Sequence, residues 1–139
     1  NAQVYLHQAD SQWVMRPHPA LQFWEGEQLE LHDGITLIRG GGHYEGGTMC
    51  HWPLGSDGKG ALLTGDIIQV VADTRWVSFM YSYPNLIPLP AAKVAAIQGA
   101  VEPFKFDRIY GAWWGRNVGT DAKQAVRRSA ARYIKAIQG

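Results

Sequence analysis

Two residues in this sequence have the type and setting to hold a metal ion or activate water: His43 and Asp66. His43 follows Gly40-Gly41-Gly42 and precedes Tyr44-Glu45-Gly46-Gly47, and Asp66 closes the run Leu63-Thr64-Gly65-Asp66. Glycine at a strand end removes the neighbouring Cβ atoms, so the side chain beside it can point into a cleft. A neutral imidazole nitrogen is a zinc ligand, and a carboxylate can bridge two metals. The bland alternative is a surface histidine bonded to nearby groups, which is the commoner fate of a lone His in a Gly-rich turn. Tyr81-Ser82-Tyr83-Pro84-Asn85 offers polar tips for a substrate pocket, or buried rings in a Pro-rich loop. Trp113, Trp114 and Arg116 offer an aromatic and cationic cleft wall, or a stacked core edge. Cys50, in an apolar strand, reads as inert. No nucleophile elbow, phosphate-binding loop or C-x-x-C pair is present.

The elements that must position these residues follow from hydrophobic patterning. Gln3 to His7 reads as a short buried strand, and Ala9 to Met15 as a helical turn capped by Asp10 or Ser11. Gln28 to Arg39 reads as a β-hairpin turning at His32-Asp33-Gly34. Thr48 to Trp52, Ala61 to Thr64, Ile67 to Val71, Val77 to Met80 and Phe106 to Tyr110 are further strands. Tyr81 to Pro90 reads as an ordered loop. Pro90 opens a helix with Val94, Ile97 and Val101 on one face. Thr120 or Asp121 opens the last helix, whose apolar face carries Ala122, Val126, Ala130, Tyr133 and Ile137. A run of strands closed by helix, strand and helix predicts an α/β domain with a mostly antiparallel or mixed sheet and helices on one face.

The length of 139 residues suits one domain with a real core, and 46% hydrophobic against 18% charged residues makes a folded chain. The heavy load of Trp, Tyr and Phe is expected in the core or lining a pocket. A net charge of +1 gives no field to recruit nucleic acid or an anionic membrane. The basic residues of the last helix, Lys123, Arg127, Arg128, Arg132 and Lys135, read as a solvated face. A single cysteine allows no intrachain disulfide, and no apolar run approaches a membrane span. The expectation is a cytoplasmic protein. The chain opens with Asn1 and enters a strand at once, as a fragment would.

In order and context, Thr36 to Thr48 around His43, followed by Ala61 to Asp66, resembles the second half of the metallo-β-lactamase fold. That family places a His after a strand and a Gly-rich turn, then an Asp at the end of a strand about twenty residues on. The resemblance implies a single domain over residues 1–139, equivalent to half of an αββα sandwich. It implies His43 as a terminal metal ligand and Asp66 as a bridging carboxylate, holding zinc or another divalent metal. Tyr44, Tyr81, Tyr83, Trp114 and Arg116 would then face a small-molecule substrate. In intact relatives a metal-bound hydroxide would attack an ester, amide or related bond.

Two departures stand out. The family's H-x-H-x-D-H cluster is absent from this sequence, and its last His would fall at Trp113 or Trp114, where an indole has no lone pair for a metal. The chain therefore reads as a hydrolase fragment inactive by itself, or alternatively as a non-catalytic self-associating or small-ligand-binding module. The expected partner is a second copy in a homodimer or a missing N-terminal half. Trp52, Trp76, Phe79, Trp113 and Trp114 are the expected anchors of that contact.

Overall fold

The computed structural model describes residues 2–83 and 85–139, so Asn1 and the Pro84 of the Tyr-rich loop lie outside the described residues. The first strands are β1 (Val4–His7), β2 (Leu21–Trp24), β3 (Gln28–Glu30), β4 (Thr36–Arg39), β5 (Thr48–Trp52) and β6 (Ala61–Gly65). Then come β7 (Gln69–Val70), β8 (Val77–Ser78), β9 (Met80–Ser82), β10 (Ile87–Pro88), β11 (Arg108–Gly111) and β12 (Asn117–Val118). The helices are α1 (Gly55–Gly58), a single irregular turn, α2 (Ala91–Val101) and α3 (Ala122–Gln138).

Six strands form one mixed sheet in the order β12-β11-β6-β5-β4-β3. Its neighbours are antiparallel except β6 and β11, which run parallel with Leu62 opposite Ile109. Alternation along the strands sorts side chains between the two faces. Ile38, Met49, Leu62 and Ile109 point to one face and are fully buried. They share one core with Val94, Ile97 and Val101 of α2 and with Ala122, Ala125, Val126 and Ala130 of α3. Burying each of the larger of these side chains stabilises the fold by about 1.5–3 kcal/mol. The opposite face carries Leu29, Leu37, Cys50, Leu63 and Tyr110, aligned in register across five strands. There Leu63 and the nearby Trp52 are 41% and 42% exposed. The fold is thus α/β, a mixed sheet with its helices on one face.

The two helices are tied at their ends. Glu102, just past α2, accepts from Arg127 and Gln98, and its carboxyl is held down at about 2, chiefly by the Arg127 hydrogen bond. Arg128 and Arg132 lie over the Trp76 ring at 5.6 and 4.9 Å, and the Ser129 hydroxyl accepts from the Val77 N–H. Most of the basic face of α3 is therefore engaged within the chain.

Several expectations change. The first strand is largely exposed, and only His7 in it is buried, because its partner β2 is a parallel edge strand rather than part of the main sheet. The turn after it is a 3-10 helix over Gln8–Trp13 capped by the His7 imidazole, not by Asp10 or Ser11. β12 and β2 carry too little alternation to read as strands. The Tyr81 to Pro90 loop holds a small β9–β10 hairpin, and the strand expected over Val77 to Met80 is split at Phe79. Phe79 belongs to the helix-covered core and cannot anchor the open face. Ile137 is exposed beyond the point where α3 leaves the core. Among the six tryptophans only Trp24 is buried, so the aromatic load is mostly at the surface.

Two outcomes test this architecture. Leu62→Ala should cost about 2–5 kcal/mol in urea unfolding, whereas Leu63→Ala, one residue on and on the other face, should cost less than about 1 kcal/mol; equal losses would mean the faces are misassigned. Glu102 has a depressed carboxyl, so its contribution is present above the ordinary value of 4.5 and is lost as pH falls toward about 2. Glu102→Gln should flatten the acid limb of stability in that window.

Candidate functional site

Strand direction gathers the chemistry at one edge. β4 is antiparallel to β5, β5 to β6, and β6 is parallel to β11, so β4, β6 and β11 all end on the same side. Past those ends come His43, Asp66 and Trp113. In α/β sheets the carboxyl ends of the strands are where ligand crevices form. β4 and β6 flank β5, so their ends stand roughly 10 Å apart. Something must bridge that gap if His43 and Asp66 are to act together.

The Gly40–Gly47 loop closes on itself before it reaches the site. The N–H groups of Gly40 and Gly41 both donate to the Gly47 carbonyl at 2.8 and 3.1 Å, and Gly47 N–H donates to Tyr44 O. Gly41 and Gly42 take φ of 62° and 88°, a region that strains other L-residues. Asp10 pins the loop from outside: its carboxylate, buried and 36 residues away, accepts the Gly46 N–H at 2.8 Å. A Cβ on Gly46 would lie 2.7 Å from the Asp10 Cγ and 2.9 Å from the His7 Cβ. His7 steadies the same unit. Its Nδ1 accepts from Ala9 N–H at 3.2 Å, so Nε2 carries the proton and donates to Gly26 O at 3.0 Å.

His43 is held through one ring nitrogen. Its Nδ1 is bonded to the Tyr81 carbonyl, which can only accept, so Nδ1 carries a proton and, in the neutral ring, Nε2 holds the lone pair. A backbone carbonyl on the remote ring nitrogen is the usual way a protein fixes the tautomer of a metal-ligating His. The other histidines are spent on structure: His51 donates to Lys105 O, His18 accepts from Ala20 N–H and His32 pairs with Asp33.

Tyr83 bridges the gap to Asp66. Its ring packs edge-on against His43 with centroids 5.8 Å apart, and its hydroxyl donates to the Asp66 carbonyl at 2.8 Å. Burial, and then the nearby Asp66 charge, push the phenol above its ordinary value, so it stays a donor.

A cleft of about 360 Å³ opens beside His43, lined by Gln12, Trp13, Gly42, His43, Tyr44, Glu45, Tyr81 and Ser82. Of the expected substrate-facing residues, Tyr44 and Tyr81 line it. Tyr83 lies behind His43 as a brace. Trp114 is fully exposed and, with Arg116, sits in the turn after β11 at the same edge but outside the cleft. As site residues, Asp10, Gln12 and Trp13 escaped the sequence reading, whereas Ser82 lay in the stretch it offered for a pocket. Asp10 gave only a capping signal, because its partner lies far along the chain.

A catalytic zinc centre uses three protein ligands. Among the described residues, no group of three or more His, Cys, Asp or Glu is placed to hold a metal ion. His43 and Asp66 supply two donors, and the turn after β11 supplies indoles. These residues do not by themselves fit a complete catalytic metal centre.

Fold and site together define a class: an α/β layer that presents a His and an Asp at the carboxyl edge of a mixed sheet roofed by helices on one face. No family model matches the chain. It is similar to uncharacterized protein YmaE of Bacillus subtilis (strain 168), at 54% identity over 136 residues, or 98% of this chain and 49% of that protein. The chain thus spans about half the length of the curated relative it matches. A solved B3 metallo-β-lactamase with an active-site glutamic acid overlaps 86% of this chain and 48% of its own, at 19% identity and a TM-score of 0.46. No helix is long and apolar enough to cross a membrane among the described residues.

The loop geometry predicts that Gly46→Ala costs about 1–3 kcal/mol by forcing the Asp10 and His7 side chains aside. Nitrogen-15 spectra of the native protein should find the His43 proton on Nδ1, and the same substitution should erode that single tautomer. A native His43 protonated on Nε2 would contradict the assignment.

Proposed function

We propose that this chain is one half of a metallo-β-lactamase-like hydrolase, contributing His43 and Asp66 to a centre that a second segment completes. Alone it is inactive. What supports this reading is that Tyr83 packs against His43, whose Nδ1 bonds the Tyr81 carbonyl, and donates to the Asp66 backbone carbonyl at the same sheet edge. In that reading His43 is a terminal ligand and Asp66 a bridging carboxylate for zinc or another divalent metal, and the substrate carries an ester, amide or related bond. Tyr44 and Tyr81 hold the substrate from the cleft. The relative of about twice this length is compatible with a further segment that brings the missing ligands.

A second reading is favoured by the open sheet face. Leu29, Leu37, Cys50, Leu63 and Tyr110 form a continuous row across five strands; Leu37 is buried, while Leu63 and Trp52 are exposed on neighbouring strands. Exposed apolar faces of this kind mark association sites. In this reading the chain is a self-associating module, a two-fold homodimer burying more than about 1,200 Å² in total.

One set of measurements separates the two. The purified chain, loaded with zinc and passed through gel filtration, should retain less than one zinc per chain and hydrolyse no generic ester, lactone or β-lactam. Stoichiometric zinc with turnover abolished by chelator and by His43→Ala would overturn the claim that the centre is incomplete. Sedimentation should give a dimer that Leu63→Glu dissociates if the second reading holds, and a monomer if it does not.

A further inference from the structure

Trp13, at the end of the 3-10 helix, is 61% exposed, yet its position is fixed. Asp10 holds that helix against the Gly46 backbone, and the same loop carries Tyr44. The Trp13 and Tyr44 rings meet nearly at right angles, with centroids 6.0 Å apart and planes at 75°. Tyr44 in turn stands at 77° to His43. Two perpendicular rings form a corner, and the half-exposed Tyr81 lines the same cleft. Aromatic faces are the negative ends of ring quadrupoles, so such a corner attracts positive charge.

The charges point the same way. Glu45 is the single formally charged side chain among the residues lining this cleft. Its carboxylate oxygens also face Arg39 and Lys93 at 3.9 and 3.6 Å, in a neighbouring groove against α2 that Glu45 lines as well. Ion pairs that long and that exposed are weak, so the carboxylate can exchange one of them for a bound cation. No cation lines the cleft to anchor a phosphate or carboxylate.

We propose that the cleft formed by Trp13, Tyr44 and Tyr81 beside Glu45 binds a small organic cation of the alkylated-ammonium type. The cationic head sits in the aromatic corner and Glu45 supplies the counter-charge. This goes beyond the hydrolase reading and needs no metal, so its test is run with chelator present and its failure leaves that reading untouched.

The probe is choline, and the control is 3,3-dimethyl-1-butanol, which has the same shape without the charge. Tryptophan fluorescence and amide shifts of the full chain read the binding at moderate salt. Choline should bind about two- to fivefold more tightly than the neutral control, the scale of a cation over exposed rings. Trp13→Ala should abolish the difference, Glu45→Gln should weaken choline alone, and Trp13→Phe should fall between native and Ala. Circular dichroism checks that each variant folds, and Trp13→Phe keeps the test decisive if Trp13→Ala does not. Equal affinity for the neutral control would overturn the proposal and leave only an apolar cleft. Choline binding unmoved by either Trp13 variant, or absent up to roughly 100 mM, well above the weak end of specific affinities, would overturn it too.

Discussion

The parallel pairing of β6 with β11 is the contact on which the rest of the molecule depends. Parallel neighbours cannot be joined by a tight turn, so the chain must cross over between them. Here the crossover carries β7 to β10 and α2. That passage places α2 against one sheet face, where α3 joins it in a single core. It also brings the end of β11 to the edge where β4 and β6 already end. One pairing therefore decides which face is covered and which edge holds the polar side chains.

At that edge the geometry rests on close backbone approach. Gly46 lies where any Cβ would meet the Asp10 carboxyl, so the Asp10 bond and the glycine require each other. A carboxylate accepting a backbone N–H out of water makes a charge-assisted bond stronger than a neutral one. It locks the Gln8–Trp13 turn to the loop bearing His43 and Tyr44. Tyr83 performs the matching task on the other side, with its ring against His43 and its hydroxyl on the Asp66 backbone. In both closing hydrogen bonds a single side chain meets a backbone group rather than another long side chain.

The two sheet faces show how burial sets what a surface can do. On the covered face, Leu62 and Ile109 are lost to solvent and committed to stability. On the other, Leu63 and Trp52 keep much of their apolar surface in water, where covering it would be worth about 25 cal/mol per Å². The positive charges of α3 are largely paired along the surface, with Glu102, Asp121 and the Trp76 ring. What remains distinctive at the surface is apolar and aromatic rather than basic.

The sequence by itself determined the elements whose pattern is local. The Gln28 to Arg39 hairpin, the Val94-Ile97-Val101 face of α2 and the last helix all follow from periodicity and turn residues within a dozen positions. It also marked His43 and Asp66, because glycines beside a strand end leave a legible trace. Tertiary structure alone decided what those residues touch. The Tyr81 carbonyl that fixes the His43 tautomer lies 38 positions away, and Asp10 lies 36 from Gly46. Backbone carbonyls are identical in every residue, so no residue type announces such a partner. Nor does alternation say which face of a strand the helices will roof; both Leu62 and Leu63 read as apolar, and only the crossover to β11 buried the first and left the second open.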